Sequence, residues 1–145
     1  MRLILVFIVA LMAVSCFEQG DCSDISSQVF QVGFYDFDTK KAQAMLIDSV
    51  LVVGTDSVFH KNVTANSVKL PIDPNHEITE YHFYYANQHA TLVVTYSFQA
   101  FALAPECAAI EIASIQKAEP TLIQEVTIPR PDLTNNVSEN LRLYF

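Results

Sequence analysis

The sequence predicts an all-β protein that folds as an antiparallel β-sandwich of about eight strands. Beyond residue 27, apolar side chains recur with a period of two rather than 3.6, which is the period of a strand with one buried face. Turn-forming residues separate these runs at near-regular intervals, as at Gly54-Thr55-Asp56, Asp73-Pro74-Asn75, Ala86-Asn87-Gln88 and Arg130-Pro131-Asp132. Short strands at such spacing are typical of a sandwich that is immunoglobulin-like in the broad sense.

Residues 90–99 form the clearest predicted strand, because Leu92, Val94, Tyr96 and Phe98 share one face and mostly polar residues lie between them. Residues 79–86 are aromatic-rich and alternate in the same way. Further strands are predicted over residues 28–35, 47–53, 57–60, 66–71, 107–115 and 122–129, with 141–145 as an edge strand. In the strand 107–115, Ile110 and Ile112 are expected to face the core. Segments 39–45 and 100–109 are interpreted as connections.

Residues 1–15 resemble a secretory signal peptide. Arg2 supplies a positive start, residues 3–14 are apolar, and the small Ala13 and Ser15 precede Cys16. This run is too short to cross a bilayer, which requires about 18 apolar residues, so we expect its removal. Lipoprotein processing at Cys16 and plain secretion with cleavage after Ser15 both fit the segment.

The cysteine count favours lipid attachment. The three cysteines are Cys16, Cys22 and Cys107, and thiols of exported proteins tend to pair. If Cys16 carries lipid, Cys22 and Cys107 remain as one disulfide pair; two buried free thiols are the alternative. The predicted organisation is a signal peptide over 1–15, a lipidated cysteine and tether over 16–27, and a sandwich domain over 28–145.

The charge of the chain limits its partners. The formal net charge is −8, and removal of Arg2 with the leader makes it more negative by one. Nucleic acid and anionic lipid headgroups require clustered positive charge, and this sequence has no basic run. We expect no nucleic-acid partner. The expected membrane contact is the lipid on Cys16, and the expected partner is an envelope protein or a glycan.

No catalytic motif stands out in the sequence. The glycines Gly20, Gly33 and Gly54 are far apart, so no phosphate-cradling loop is predicted, and no serine is flanked by glycines as in a nucleophile elbow. We therefore expect no catalytic residue, no cofactor and no metal site.

The best candidate surface site consists of His82 and Tyr84. Glu80, His82 and Tyr84 project from one face of the predicted strand 79–86, opposite Tyr81, Phe83 and Tyr85. An exposed tyrosine can stack on a sugar ring or contact a protein. The alternative is an ordinary solvated outer face.

Two acidic turns offer oxygen atoms that calcium could use. The first contains Asp73, Asn75 and Glu77, and the second contains Asp36 and Asp38. Neither has the glycine and terminal glutamate of a helix-loop-helix calcium site, so turn formation is the favoured interpretation.

Several short motifs resemble an uncharacterised domain-of-unknown-function family of small Bacteroidota envelope lipoproteins. They are Cys16 with Cys22 shortly after, Val32-Gly33-Phe34-Tyr35, Leu70-Pro71 followed by Asp73, Val93-Val94-Thr95-Tyr96 and Glu106-Cys107. Ala108 stands where the family would have glycine. The resemblance implies an envelope address and a fold, with no assigned activity.

Two functions follow as expectations. The first is an exported lipoprotein, anchored to the outer membrane on its periplasmic or outer side, whose non-enzymatic sandwich is a binding or assembly module. The alternative is a secreted soluble β-domain with hydrolase activity on the Glu80-His82-Tyr84 face.

Overall fold

The predicted fold class is confirmed: the protein is a β-sandwich. A computed structural model describes residues 26–55, 57–101, 109–135 and 138–145. The leader, Cys16, Cys22 and Cys107 lie outside these residues. The described residues contain no helix that could span a membrane. They form nine strands: β1 Val29–Tyr35, β2 Met45–Val52, β3 Val58–Ala65, β4 Ser67–Pro71, β5 Ile78–Tyr85, β6 Gln88–Phe101, β7 Ile110–Thr121, β8 Glu125–Thr127 and β9 Glu139–Tyr144.

The strands form two sheets that face each other. One sheet has the order β4-β1-β9-β8, and the other has the order β3-β2-β5-β6-β7. All pairings are antiparallel except that of β1 with β9, which is parallel. The order differs from that of immunoglobulin domains, so the likeness to them is one of architecture and not of strand order.

Aromatic side chains from both sheets meet in the core. Phe30 and Phe34 of β1 pack edge-on against Tyr81 and Phe83 of β5, with ring centroids 5.5 Å and 6.5 Å apart. Tyr96 of β6 is also buried. Strand β5 alternates as its sequence predicts, because Tyr81, Phe83 and Tyr85 are buried while the residues between them are partly exposed.

Two expectations about strand placement are wrong. Ile110 and Ile112 of β7 were expected to face the core, but Ala113 and Ile115 do so. The pairing explains this result, because Ile112 lies opposite the exposed Gln99 whereas Ala113 lies opposite Phe98, on the core side. The last strand, expected at an edge, lies between β1 and β8.

The chain enters the sandwich along the edge formed by β7. Ser26 bridges antiparallel to Thr134, and the amide of Ser27 donates to the carbonyl of Leu133 at 3.1 Å. The amide of Leu133 in turn donates to the carbonyl of Ala113 in β7 at 2.8 Å. The final two residues of the expected tether are therefore paired with the domain, and fully buried Leu133 closes the core at this edge.

Candidate ligand-binding cleft

A cleft opens between the two sheets at one end of the sandwich. It has a volume of about 530 Å³, within the range of about 300–1,000 Å³ that is typical of ligand pockets. Its walls come from the end of β2 and the turn after it, from β3, and from the connection between β4 and β5. Strands of both sheets end here, and the side chains at these strand ends line the cavity.

The lip of the cleft is apolar and exposed. Val53, Phe59 and Ile78 line it and are 51%, 39% and 58% exposed, and exposed Val58 lies beside Phe59. The other large apolar side chains that the structure describes as exposed are Val29, Leu46 and Leu122. Concentration of three such residues at one mouth distinguishes this surface from the scattered apolar residues that any protein exposes.

The interior of the cleft is also mainly apolar. Val52 and Ile72 are buried in its wall, and Pro71 and Pro74 contribute ring carbons. Pro71 is the last residue of β4, and Pro74 lies in the connection to β5. The cleft is therefore a preformed apolar cavity.

Two carboxylates lie on the rim. Oδ1 of Asp73 accepts the amide of Asn75 at 2.9 Å, and Oδ2 lies 2.7 Å from Nδ1 of His76. The hydrogen bond from the backbone amide of Asn75 holds the pKa of Asp73 below its usual value, and the contact with His76 adds a smaller effect in the same direction. This carboxylate closes a turn, in agreement with the favoured interpretation of its sequence. The second carboxylate is Glu80.

A buried hydroxyl network underlies the cleft. The hydroxyl of Tyr81 donates to the carbonyl of Pro71 at 2.6 Å and lies 2.6 Å from the hydroxyl of Tyr96. Because a carbonyl can only accept, the single proton of Tyr81 goes to Pro71, and Tyr96 donates to Tyr81. Burial raises the pKa of Tyr96 to about 12 and raises that of Tyr81 further.

Thr79 lines the cleft beside these phenols and is only 5% exposed. Its hydroxyl lies near enough to both phenols to lower their pKa values slightly, a smaller effect than burial. Among the described residues, its oxygen has no partner within hydrogen-bond distance. The hydroxyl therefore contributes little hydrogen-bond stabilisation to the free protein.

The predicted candidates His82 and Tyr84 lie outside the cleft, on the outer face of β5. Nε2 of His82 is 2.8 Å from Oε1 of Glu80, and the His82 ring contacts His89 of β6 at 4.9 Å between centroids. Tyr84 stacks on His89 at 4.7 Å. The structure thus brings the predicted row together and adds His89, which lies opposite Tyr84 in the β5–β6 ladder.

None of the three cavities at the cleft, near Gln31 and near Arg130 is lined by His82 or Tyr84; only Glu80 is shared with the cleft. Within the described part of the chain, no group of three or more His, Cys, Asp or Glu side chains could hold a metal ion. At the other acidic turn, Asp36 accepts the amide and hydroxyl of Thr39, both at 2.7 Å.

Sequence reasoning missed the cleft residues. A signal was present in Val52-Val53 and Val58-Phe59, because neighbouring strand residues point to opposite faces and two adjacent apolar residues place one of them outside. That pattern marks an exposed apolar side chain. It does not show that two such residues from separate segments meet.

A family model of unknown function, DUF6452, matches residues 47–145. The chain belongs to this family. The DUF6452 match includes every segment that forms the cleft, together with His82, Tyr84 and Cys107, and it begins after Cys16 and Cys22. No curated protein matches the chain, and no solved structure matches it.

Proposed function

We propose that this DUF6452 protein is an exported, lipid-anchored envelope lipoprotein whose β-sandwich is a non-enzymatic binding module, with the cleft as its ligand site. The observation that carries the proposal is the preformed cavity with three exposed apolar side chains on its lip. Exposure of apolar surface is unfavourable in water by about 25 cal/mol per Å², so a patch of this kind at a cavity mouth favours a bound partner.

The short predicted tether supports an anchored module. Ten chain steps separate Cys16 from Ser26, a reach of at most about 35 Å. Lipid on Cys16 would therefore hold the first described residues of the domain within that distance of a membrane surface.

A neutral apolar dye tests the binding function. We expect Nile red to fluoresce strongly with the native protein and weakly with Ile78→Ser, which removes a lip side chain without opening the core. Leu46→Ser is the matched control, because Leu46 is 55% exposed on a strand but does not line the cleft. Equal fluorescence of all three proteins would show that the cleft is not the binding site.

The anchor is tested by replacement of Cys16. We expect the native protein to incorporate labelled palmitate and to sediment with membranes, and Cys16→Ser to lose the label and become soluble after leader removal. Two or three acyl chains give stable attachment at about 0.8 kcal/mol per buried methylene. A Cys16→Ser protein that stays membrane-bound after leader removal would refute the anchor.

We propose further that Cys22 and Cys107 form a disulfide. If Cys16 carries lipid, these two thiols remain, and the thiols of exported proteins tend to pair.

Mass spectrometry of unreduced tryptic peptides tests the bridge. We expect one linked peptide that separates on reduction. Independent alkylation of Cys22 and Cys107 without reduction would refute the pairing.

A further inference from the structure

We infer that the ligand of the cleft is a small amphipathic amine, bound with its apolar body between the lip side chains and its positive charge at Asp73 and Glu80. This inference deepens the proposed function and rests on it. It concerns the charge and shape of the ligand, which the cavity alone does not specify.

The apolar body is indicated by the distribution of side chains along the cleft. Val52 and Ile72 line the wall, while Val53, Phe59 and Ile78 extend the apolar surface outward past the rim. A ligand that is apolar over most of its length would cover both surfaces at once. A fully polar ligand would place its own polar groups against these apolar side chains, where they find no hydrogen-bond partner, and this is unfavourable.

The charge of the ligand is indicated by the rim. Asp73 and Glu80 are the acidic residues among those that line the cleft, and no Lys or Arg occurs among the described lining residues. Each carboxylate has a histidine neighbour, His76 or His82, which offsets its charge only when that histidine is protonated. These carboxylates favour a cation at the mouth over an anion.

Coulomb's law sets the size of the effect. A unit charge about 4 Å from a carboxylate changes affinity about fivefold in a water-like medium, and more where the dielectric is lower. The two rim carboxylates together predict a preference of at least about tenfold for a cation over an anion of the same shape. Because both carboxylates are partly exposed, salt weakens the preference.

Three probes that share a phenylethyl body separate charge from apolar contact. Phenethylamine is cationic, 2-phenylethanol is neutral and 3-phenylpropionate is anionic at neutral pH. Each is titrated into the domain at low salt and at 0.5 M NaCl, and amide chemical shifts are followed by NMR. We expect shifts at the amides of Val53, Gly54 and Ile78, millimolar binding typical of so small a molecule, and affinity in the order amine, alcohol, carboxylate.

Paired variants distinguish the two parts of the site. Glu80→Gln is expected to reduce amine binding two- to fivefold and leave alcohol binding unchanged, whereas Ile78→Ser weakens all three probes. Glu119→Gln and Leu46→Ser are the controls; Glu119 is a half-exposed carboxylate that, like Glu80, has a basic neighbour, but it lies away from the cleft.

The outcomes separate this inference from the proposed function. If Nile red binds at the cleft but the three probes bind equally, or the carboxylate binds best, the ligand is not an amine although the cleft remains a binding site. If neither Nile red nor any probe shifts the cleft amides, both proposals are overturned. Loss of the amine preference at 0.5 M salt, with alcohol binding unchanged, supports the charge argument.

Discussion

Replacement of Asn140 tests how β9 is held against β1 and against the connection between β8 and β9. Asn140 is an extra residue in the β1–β9 ladder, because Gln31 pairs with Glu139 while the next residue, Val32, pairs with Leu141. Its Oδ1 accepts the amide of Gln31 at 3.0 Å, and its Nδ2 donates to the carbonyls of Arg130 and Asp132 at 3.1 and 3.2 Å. One side chain thus pairs with three backbone groups, one in β1 and two in the connection between β8 and β9.

Asn140→Ala leaves these three groups unpaired. A buried group without a partner costs about 1–3 kcal/mol, and water that enters from the neighbouring cavities recovers part of this. We therefore expect the free energy of unfolding to fall by about 3–5 kcal/mol, a large part of the 5–15 kcal/mol typical of a domain. The corresponding fall in Tm is about 10–20 °C.

Urea denaturation followed by fluorescence or circular dichroism measures the change. The midpoint should fall at unchanged slope, because the same surface is exposed on unfolding. Asn66→Ala is the matched control, because Asn66 is exposed and the backbone carbonyl that it offers to Phe34 survives the substitution. A loss below about 1 kcal/mol, or one equal to that of Asn66→Ala, would refute the reasoning.

Three further predictions concern the two sheets. Gly33→Ala should destabilise the fold by about 1 kcal/mol, because a Cβ there would lie 2.5 Å from Oε1 of Glu139, which Tyr35 and Arg142 hold in place, and 2.9 Å from Cε2 of Tyr35. In a Glu139→Ala background, which removes the nearer contact, the same substitution should lower the urea midpoint less. Tyr81→Phe should lower the midpoint more than Tyr96→Phe, since Tyr81 engages both Pro71 and Tyr96; equal losses would contradict the assigned proton. The raised pKa of Tyr96, about 12, means that the folded state keeps a proton that the unfolded state releases near pH 10. The contribution of this protonated hydroxyl to the free energy of unfolding is therefore complete below pH 10 and is lost between about pH 10 and 12. An ultraviolet titration that shows Tyr96 ionising near pH 10 in the folded protein would contradict that assignment.

The sequence was sufficient for the fold class because most strands have one clear buried face. In β5 the core face is set by Tyr81, Phe83 and Tyr85, and a one-residue slip in register would move all three to the outer face. In β7 the sequence is ambiguous, because isoleucines and alanines occupy both faces. The register shift opposite Thr95 and Tyr96 decides which of them face the core, and such a shift depends on the partner strand.

The central position of β9 was also beyond sequence reasoning. A C-terminal strand of alternating residues fits an edge or a centre equally well. Here the strand pairing and the bond from the Gln31 amide to Oδ1 of Asn140 place β9 against β1. These two residues are more than one hundred positions apart in sequence, and no local pattern specifies such a contact.

The cleft could not be predicted because its walls come from three separate parts of the chain. Local patterns mark each of Val53, Phe59 and Ile78 as apolar and exposed. Their meeting at one mouth depends on the crossing of the chain between the sheets near Asn66 and on the return through Pro71 to Pro74. The His82 and Tyr84 row was predictable, in contrast, because it lies on one strand.

Glu80 belongs both to the cleft and to the outer-face row, so a variant of Glu80 cannot distinguish the two functions that the sequence suggested. One oxygen of Glu80 contacts His82 on the outer face, while the same residue lines the cleft. Loss of an activity in Glu80→Gln therefore does not identify its site. His82→Phe alters only the outer-face row, and Ile78→Ser alters only the cleft lip. A hydrolase on the outer face would lose activity in His82→Phe and keep it in Ile78→Ser. A binding module would bind its ligand more weakly in Ile78→Ser. In His82→Phe its binding would change only through the position of Glu80, so the affinity for the amine would change and the affinity for the alcohol would not.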